Sequence, residues 1–382
     1  MQGLLVCPIS ADLPGNQGIL NKMEYQRAAL AELAGRVDVV CNSVRGPLLN
    51  GERFAEYPLT GRGFRSFNHY VLFYQYVWKH CEPARYDFLY IRYPFAIPSF
   101  VRFLRATKKA NPGTKIIVEV PTFPYRQELR SPKQRVLLAL DDVGHARLKA
   151  YIDVVVTFFG QSEIFGIPCI QTANGIDVDR IPLKRKPSSK TGISMIVVAN
   201  LARWHGIDRI VRGLGHCREH DGCTPATLDI VGEGPAEDEL RTLCHNLGVG
   251  HAVRFHGMRS GTELDALFAD ADLALGSLGM HRLGLHRSSS LKAREYCARG
   301  VPFVLGSDDP DFPDGIPFVH QVAADESPID VSALADFVDN LRERSPDASI
   351  VMRRYAEQRL TWNAKLEPIV RYARTGNLVD AT

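Results

Sequence analysis

The 382-residue chain reads as two doubly wound α/β domains in series, on three observations. Short apolar runs alternate with longer amphipathic ones throughout, the pattern of parallel sheets with helical crossovers. Most of the short runs are rich in Val, Ile, Leu or Phe, as strands buried on both faces should be. A basic segment with two prolines, PLKRKPSSKT from Pro182 to Thr191, has little to bury and reads as an exposed linker, after which the alternation restarts.

In the first half the expected strands are Leu4 to Pro8, Val37 to Cys41, Phe88 to Ile91, Lys115 to Glu119 and Val154 to Thr157, with helices such as Asn21 to Leu33 and Pro98 to Ala110 between them. Pro14-Gly15-Asn16-Gln17-Gly18 reads as a glycine-bearing loop after the first strand. After the linker come Ile193 to Ala199, Leu228 to Val231, Val253 to His256, Leu273 to Leu275 and Phe303 to Leu305. The helix from Ala236 to Leu247 is the clearest. Leu240, Leu243, Cys244 and Leu247 repeat at helical spacing behind an acidic first turn and ahead of Gly248. The domains are expected at 1–181 and 182–349, with the amphipathic tail 350–382 crossing back onto the first.

Composition narrows the function. The net charge of +3, from 46 basic and 43 acidic residues, is too balanced to imply a nucleic-acid binder. The eight cysteines are scattered, without metal-ligand spacing or the density of a disulfide scaffold. With no basic leader before Leu4 and no apolar run long enough to span a bilayer, a cytoplasmic location is expected, at most with peripheral contact at the inner membrane face. Phe67, Tyr70, Phe73, Tyr74, Tyr76 and Trp78, flanked by Arg62, Arg65 and Lys79, suit either a membrane interface or the core face of one helix.

The segment from Ser288 to Pro302, SSSLKAREYCARGVP, carries the most chemistry. Ser288, Ser289 and Ser290 precede a helix-forming run opened by Leu291 and carrying Lys292 and Glu295, which Gly300 stops before an apolar strand. Unpaired amides and the positive dipole end at a helix start attract phosphate. Glu295, nearly a turn further in, is placed to accept from sugar hydroxyls. Phosphate plus ribose suits a nucleotide; an ordinary capped helix suits these residues equally well.

Four stretches in fixed order carry a family resemblance: Asn174-Gly175-Ile176-Asp177, VANLARWHGID from Val198 to Asp208, VGEGPAEDEL from Val231 to Leu240, and LKAREYCARGVPFV from Leu291 to Val304. Together they resemble the donor-binding half of retaining family-4, or group 1, GT-B glycosyltransferases. YDFLYIRYP from Tyr86 and EVPTFPYRQE from Glu119 are similar to enzymes of capsular and exopolysaccharide biosynthesis. The resemblance implies a GT-B fold, two Rossmann-like domains facing across a cleft. It also implies transfer of a hexosyl group, with retention, from a nucleotide-diphosphate sugar to a glycan or lipid-linked acceptor. No cofactor and no metal are expected.

Carried over residue by residue, the resemblance puts Lys292, His205 and Arg203 on the diphosphate as catalytic residues. Asn200, Gly232, Gly234, Arg287, Ser288, Ser289, Ser290, Leu291 and Glu295 are implied on the donor, and Asn16, Gln17, Gly18, Arg92, Tyr125 and Glu128 on the acceptor side. The chain also departs from the pattern: Asn200 and His205 stand where relatives place Arg and Lys, and Arg287 where they place the first of two glutamates. Arg203, His205, Arg287 and Lys292 remain to meet the diphosphate. Asp308 to Asp311, DDPD, reads as a solvated acidic turn rather than a metal site. A nucleotide-sugar epimerase and a non-catalytic partner of another transferase stay open as alternatives.

Overall fold

The computed structural model describes residues 1–13, 16–58, 68–125, 132–158, 160–184, 192–219 and 223–378. The chain forms two compact units, Met1–Ala173 with Trp362–Thr382, and Asn174–Thr361. Each is built on its own sheet.

The first unit contains β1 (Gln2–Ser10), β2 (Arg36–Asn42), β3 (Leu48–Leu49), β4 (Glu52–Arg53), β5 (Phe88–Arg92), β6 (Lys115–Val120), β7 (Val154–Thr157), β8 (Glu163–Ile164) and β9 (Ile167–Gln171). Their order is β4-β3-β2-β1-β5-β6-β7-β9-β8, parallel except at the short edge strands. Successive strand residues point to opposite faces, and both faces are covered. Leu4, Val6, Leu89 and Ile91 pack with the helices Phe73–Cys81 and Pro98–Ala110. Leu5, Cys7, Phe88 and Tyr90 pack with the helix Gln17–Ala34 and the terminal helix Trp362–Thr375.

The second unit contains β10 (Ile193–Val198), β11 (Ala226–Val231), β12 (Val253–Gly257), β13 (Leu273–Leu275), β14 (Phe303–Leu305) and β15 (Val319–Gln321), all parallel, in the order β12-β11-β10-β13-β14-β15. Met195 and Val197 face one helical layer, which includes Ile207–Glu219 and Val331–Arg344; Ile196 faces the other, which includes Leu291–Arg299 and Ala348–Arg359. The strand order reverses between β10 and β13, and such a switch point leaves a crevice at the strands' carboxyl ends.

Several expectations are corrected. Gln17 and Gly18 open the helix Gln17–Ala34 instead of lying in a loop, and Pro14 and Gly15 fall outside the described residues. The tail is two helices, of which Ala348–Arg359 stays in the second unit and Trp362–Thr375 packs in the first, so the return begins at Trp362. The second unit starts at Asn174, ahead of the expected linker, of which 185–191 lie outside the described residues. Of the aromatic stretch, Phe73 and Tyr74 are buried, in keeping with the core-face alternative, with Tyr70 and Trp78 partly buried against them. Cys217 and Cys223, at the end of one helix and just beyond, form a disulfide.

One polar group sits deep in the first unit. Glu119, near the carboxyl end of β6, is fully buried and receives Lys22 (3.1 Å), Gln26 (2.6 Å), the Tyr90 hydroxyl (2.7 Å) and Arg92 (3.2 Å). Burial alone would raise its carboxyl, but Lys22 and Arg92, with the Tyr90 and Gln26 bonds, outweigh it and bring it down to about 2. Arg92, assigned to the acceptor side, is thus tied to Glu119. Glu119→Gln removes the buried anion from two partly buried cations and should cost about 3 kcal/mol, read from denaturant unfolding. Since the folded carboxyl lies below its ordinary 4.5, the wild-type contribution is present above that pH and lost as pH falls toward 2. The gap between wild type and variant should close over the same range.

Candidate donor site

The loops leaving β10 and β13 and the helix before β14 meet at the switch point. After β10 the chain runs through Asn200 into a short turn, Arg203–His205, and Gly206 admits a left-handed backbone (φ 65°). A side chain at Gly206 would strike the backbone of Leu278 (2.7 Å), and Leu278 N–H donates to the His205 carbonyl (2.9 Å). Gly206 is required here because the two loops touch backbone to backbone. Gly232 (φ 123°) is held likewise, since a Cβ there would stand 1.8 Å from the Ala199 carbonyl oxygen. Gly234 packs on Asn200 and Leu201, so both glycines of the turn after β11 shape the site by close packing.

These constraints bring His205, Ser277 and Lys292 together. Lys292 Nζ lies 2.9 Å from His205 Nδ1 and 3.5 Å from Ser277 Oγ, and His205 Nδ1 lies 3.0 Å from Ser277 Oγ. No ion pair to a carboxylate holds Lys292 among the described residues. Burial pushes its ammonium down to about 7. Burial, and then the Lys292 charge, push His205 down to about 3, so its imidazole is neutral at working pH. When Lys292 carries its proton, Nδ1 accepts and the ring proton sits on Nε2. Among the described residues, the cluster is an electropositive centre with no carboxylate paired to it.

Leu291–Arg299 is anchored by a residue that sequence reasoning passed over. Arg294 is fully buried and pairs with Asp309 and Asp311, while donating to the carbonyls of Ser290 (3.1 Å) and Asn174 (3.2 Å). The DDPD run is therefore no solvated turn: Asp309 is buried and both aspartates are committed to this guanidinium. Its signal was available in principle, as an arginine in a helix otherwise flanked by Ala293, Tyr296 and Cys297, all buried.

The remaining candidates separate. Ser288 bonds Ser307 (2.8 Å), and Ser289 accepts from the Asn174 amide (2.7 Å). Ser290 stands at the helix start without capping it, and Leu291 is exposed. Glu295 is bonded by Arg299 one turn on (2.9 Å), which also pairs with Asp265 (2.8 Å). Arg287 is bridged through its backbone to Asp308. Arg203 does not join Lys292; its Nε and Nη2 donate to the two carboxylate oxygens of Glu239 (3.1 and 3.0 Å) in an exposed pair.

In the first unit Asn16 donates to the Ser10 carbonyl (2.9 Å) and Gln17 to Asn21 (2.8 Å). Asn16 also lines a cavity of about 210 Å³ with Asn42, Ser43, His69 and Tyr70 at the ends of β1 and β2. Tyr125 donates to Asp141, and Glu128 lies outside the described residues.

Comparison with known proteins agrees with this architecture. Residues 180–342 match the family model "Glycosyl transferases group 1". A glycogen synthase of Mycobacterium tuberculosis is 31% identical over 192 residues, 49% of this chain and 43% of that protein. An uncharacterized glycosyltransferase of Methanocaldococcus jannaschii is 29% identical over 130 residues, 34% of this chain and 31% of that one. The chain thus spans less than half the length of these curated relatives. Among solved structures, sucrose-phosphate synthase from Thermosynechococcus elongatus superposes with a TM-score of 0.62 at 14% identity, covering 98% of both chains. Anabaena Alr3699/HepE in complex with UDP and glucose gives 0.56 at 14%, covering 98% of this chain and 100% of that one. The fold is GT-B, and residues 180–342 of the second unit are similar to the group 1 glycosyl transferases.

A charged lysine buried without an anion opposes folding. Lys292→Met should therefore raise the melting temperature at or below pH 7, and the gain should shrink as pH rises toward 10.5, where the unfolded lysine also loses its proton. Thermal unfolding across that range checks the sign.

Proposed function

We propose that the protein is a retaining, metal-independent glycosyltransferase that moves a hexosyl group from a nucleoside diphosphate sugar to a glycan or lipid-linked acceptor, in surface polysaccharide biosynthesis. The observation that carries the reading is the Lys292, His205 and Ser277 cluster at the switch point of a group 1 domain. That one matched protein, Anabaena Alr3699/HepE, was solved in complex with UDP supports a nucleotide donor.

In this reading the donor diphosphate supplies the missing counter-ion. Lys292 donates to it as the bond to the sugar breaks and the leaving group gains charge, while His205, neutral, offers its Nε2–H without adding a second charge. Glu295 receives the ribose hydroxyls, with Arg299 orienting the carboxylate from behind. Ser288 and the amides at the start of the Leu291–Arg299 helix face the remaining phosphate oxygens. Glycan and lipid-linked acceptors remain to be separated by assay of both classes.

Lys292→Ala should lower kcat by roughly two to three powers of ten with a smaller change in donor affinity. Glu295→Ala should weaken free nucleotide and nucleotide sugar alike, by about 1–3 kcal/mol. If both variants keep wild-type affinity and turnover, the donor site lies elsewhere. Because Lys292 sits at about 7 when no anion is bound, donor binding at pH 8 should take up a proton, and affinity should fall as pH rises above 7. Calorimetry in buffers of different ionisation heat measures that uptake; its absence counts against Lys292 as the diphosphate contact. Activity should persist in chelator, and full loss restored by magnesium or manganese would overturn the metal-independent mechanism.

A further inference from the structure

The parallel pairing of β1 with β2 ends in two cysteines. Val6 pairs with Val40 and Cys7 with Cys41, and the register slips immediately beyond, where Ser10 meets Asn42. Partners in a parallel ladder turn their side chains to the same side of the sheet. Cys7 and Cys41 accordingly belong to one core cluster under the helix Gln17–Ala34, Cys7 fully buried and Cys41 half-buried. Neighbouring strands lie about 4.8 Å apart, within the roughly 4.4–6.8 Å that separates the Cα atoms of bonded cysteines. Joining this pair needs little movement of either strand.

The two side chains already interact. A bond from Cys41 lowers the Cys7 thiol against the opposing effect of burial; the Ile9 amide and the Arg92 charge add to the lowering, and the Glu119 charge works against it. The same bond, then burial, then the Cys7 and Glu24 charges raise the thiol of Cys41. The proton the pair shares therefore sits on Cys41, and thiolate character sits on Cys7. The other free cysteines behave differently, since burial raises the thiols of Cys81, Cys169, Cys244 and Cys297. A thiolate with a second thiol beside it is the arrangement that oxidises and closes. Among the described residues no group of three His, Cys, Asp or Glu side chains is placed to hold a metal, which sets the pair apart from a metal centre.

We propose that Cys7 and Cys41 form an oxidation site that takes a hydroperoxide, closes to a disulfide and transmits its state to the cavity at the ends of β1 and β2. The Cys7 sulfur attacks one peroxide oxygen, the O–O bond breaks and hydroxide leaves, giving a sulfenic acid. The Cys41 sulfur then attacks the Cys7 sulfur, the S–O bond breaks, and water leaves with the Cys41 proton. Two electrons pass from the two sulfurs to the peroxide. Asn42 follows Cys41 directly and lines the cavity, accepting from the Tyr57 hydroxyl (2.7 Å) and the Ser43 amide (2.9 Å) and meeting His69 Nδ1 (3.2 Å). A covalent link one residue away displaces the Asn42 backbone and these contacts with it. The inference stands apart from the transferase reading, since its test uses neither donor nor acceptor.

The full chain, reduced and freed of reductant, is treated with hydrogen peroxide, blocked with N-ethylmaleimide and mapped by peptide mass spectrometry. Wild type should yield a linked Cys7 and Cys41 peptide, reversed by dithiothreitol and distinct in sequence from the Cys217 and Cys223 peptide. It should form roughly tenfold faster than Cys81 or Cys297 oxidises. Cys41→Ser should stop at a Cys7 sulfenic acid trapped by dimedone, and Cys7→Ser should leave Cys41 reduced at the same dose. Amide hydrogen exchange at Ser43 and Val44 should change when wild type is oxidised and stay constant in Cys7→Ser. The wild-type map needs no variant, so a poorly folding substitution leaves the test intact. If Cys7 and Cys41 are still alkylated as thiols once the other free cysteines have oxidised, or if the sulfenic acid never closes in wild type, the oxidation site is overturned. A disulfide that leaves exchange at Ser43 and Val44 unchanged overturns the link to the cavity.

Discussion

The second unit depends on the buried Arg294 guanidinium. It joins the entry of the chain at Asn174, 120 residues away in sequence, to the helix start at Ser290 and the following loop carrying Asp309 and Asp311. A buried cation is tolerable only when paired and hydrogen-bonded, and two aspartates with two carbonyls satisfy that condition. Because the guanidinium is planar and its partners lie in fixed directions, it sets the rotation of the helix as well as its position. Lys292 and Glu295 flank Arg294 on the same helix, so the anchor determines where both point.

Against that neutralised anchor, the neighbouring cluster is left with excess positive charge. Lys292 has His205 and Ser277 beside it, neither of them an anion, and burial depresses its ammonium. Arg294 and Lys292 are thus two cations on one helix in different circumstances: the first is fully buried and compensated within the fold, the second is partly buried and has no carboxylate partner among the described residues. Arg203 shows the contrast from the surface, where Glu239 takes up its guanidinium and solvent screens the pair. In the first unit Glu119 reverses the signs, one buried anion holding Lys22 and Arg92 between β6, β5 and the helix Gln17–Ala34.

Pinned geometry also explains an outward aliphatic stripe on the helix Pro132–Leu148 of the first unit. A hydrophobic helix normally turns its apolar side inward, but Asp141 and Gly144 settle which side faces the core here, through bonds and contacts to Tyr93, Tyr125 and Ala96. With the inner face decided, Val136, Leu140 and Val143 remain outside whatever their hydrophobicity.

The sequence by itself determined the doubly wound architecture, all ten of the expected strands and the segment that holds Lys292 and Glu295. Those are local signals: a strand buried on both faces is a continuous apolar run, and a helix start announces itself through its residue types. The short strands β3, β4, β8 and β15 were not legible because two or three partly exposed residues carry no pattern, and β9 was hidden by Pro168, which reads as a breaker. Only the tertiary structure decided which charges are compensated. Arg203 and Lys292 look alike as cations near a motif, yet one meets Glu239 and the other meets His205 and Ser277. Likewise Asp309 looks like a turn residue until the fold brings Arg294 against it. Pairing of this kind depends on distances between residues far apart in the chain, and the energy of a charge depends on the water removed from around it, so neither is written in local composition.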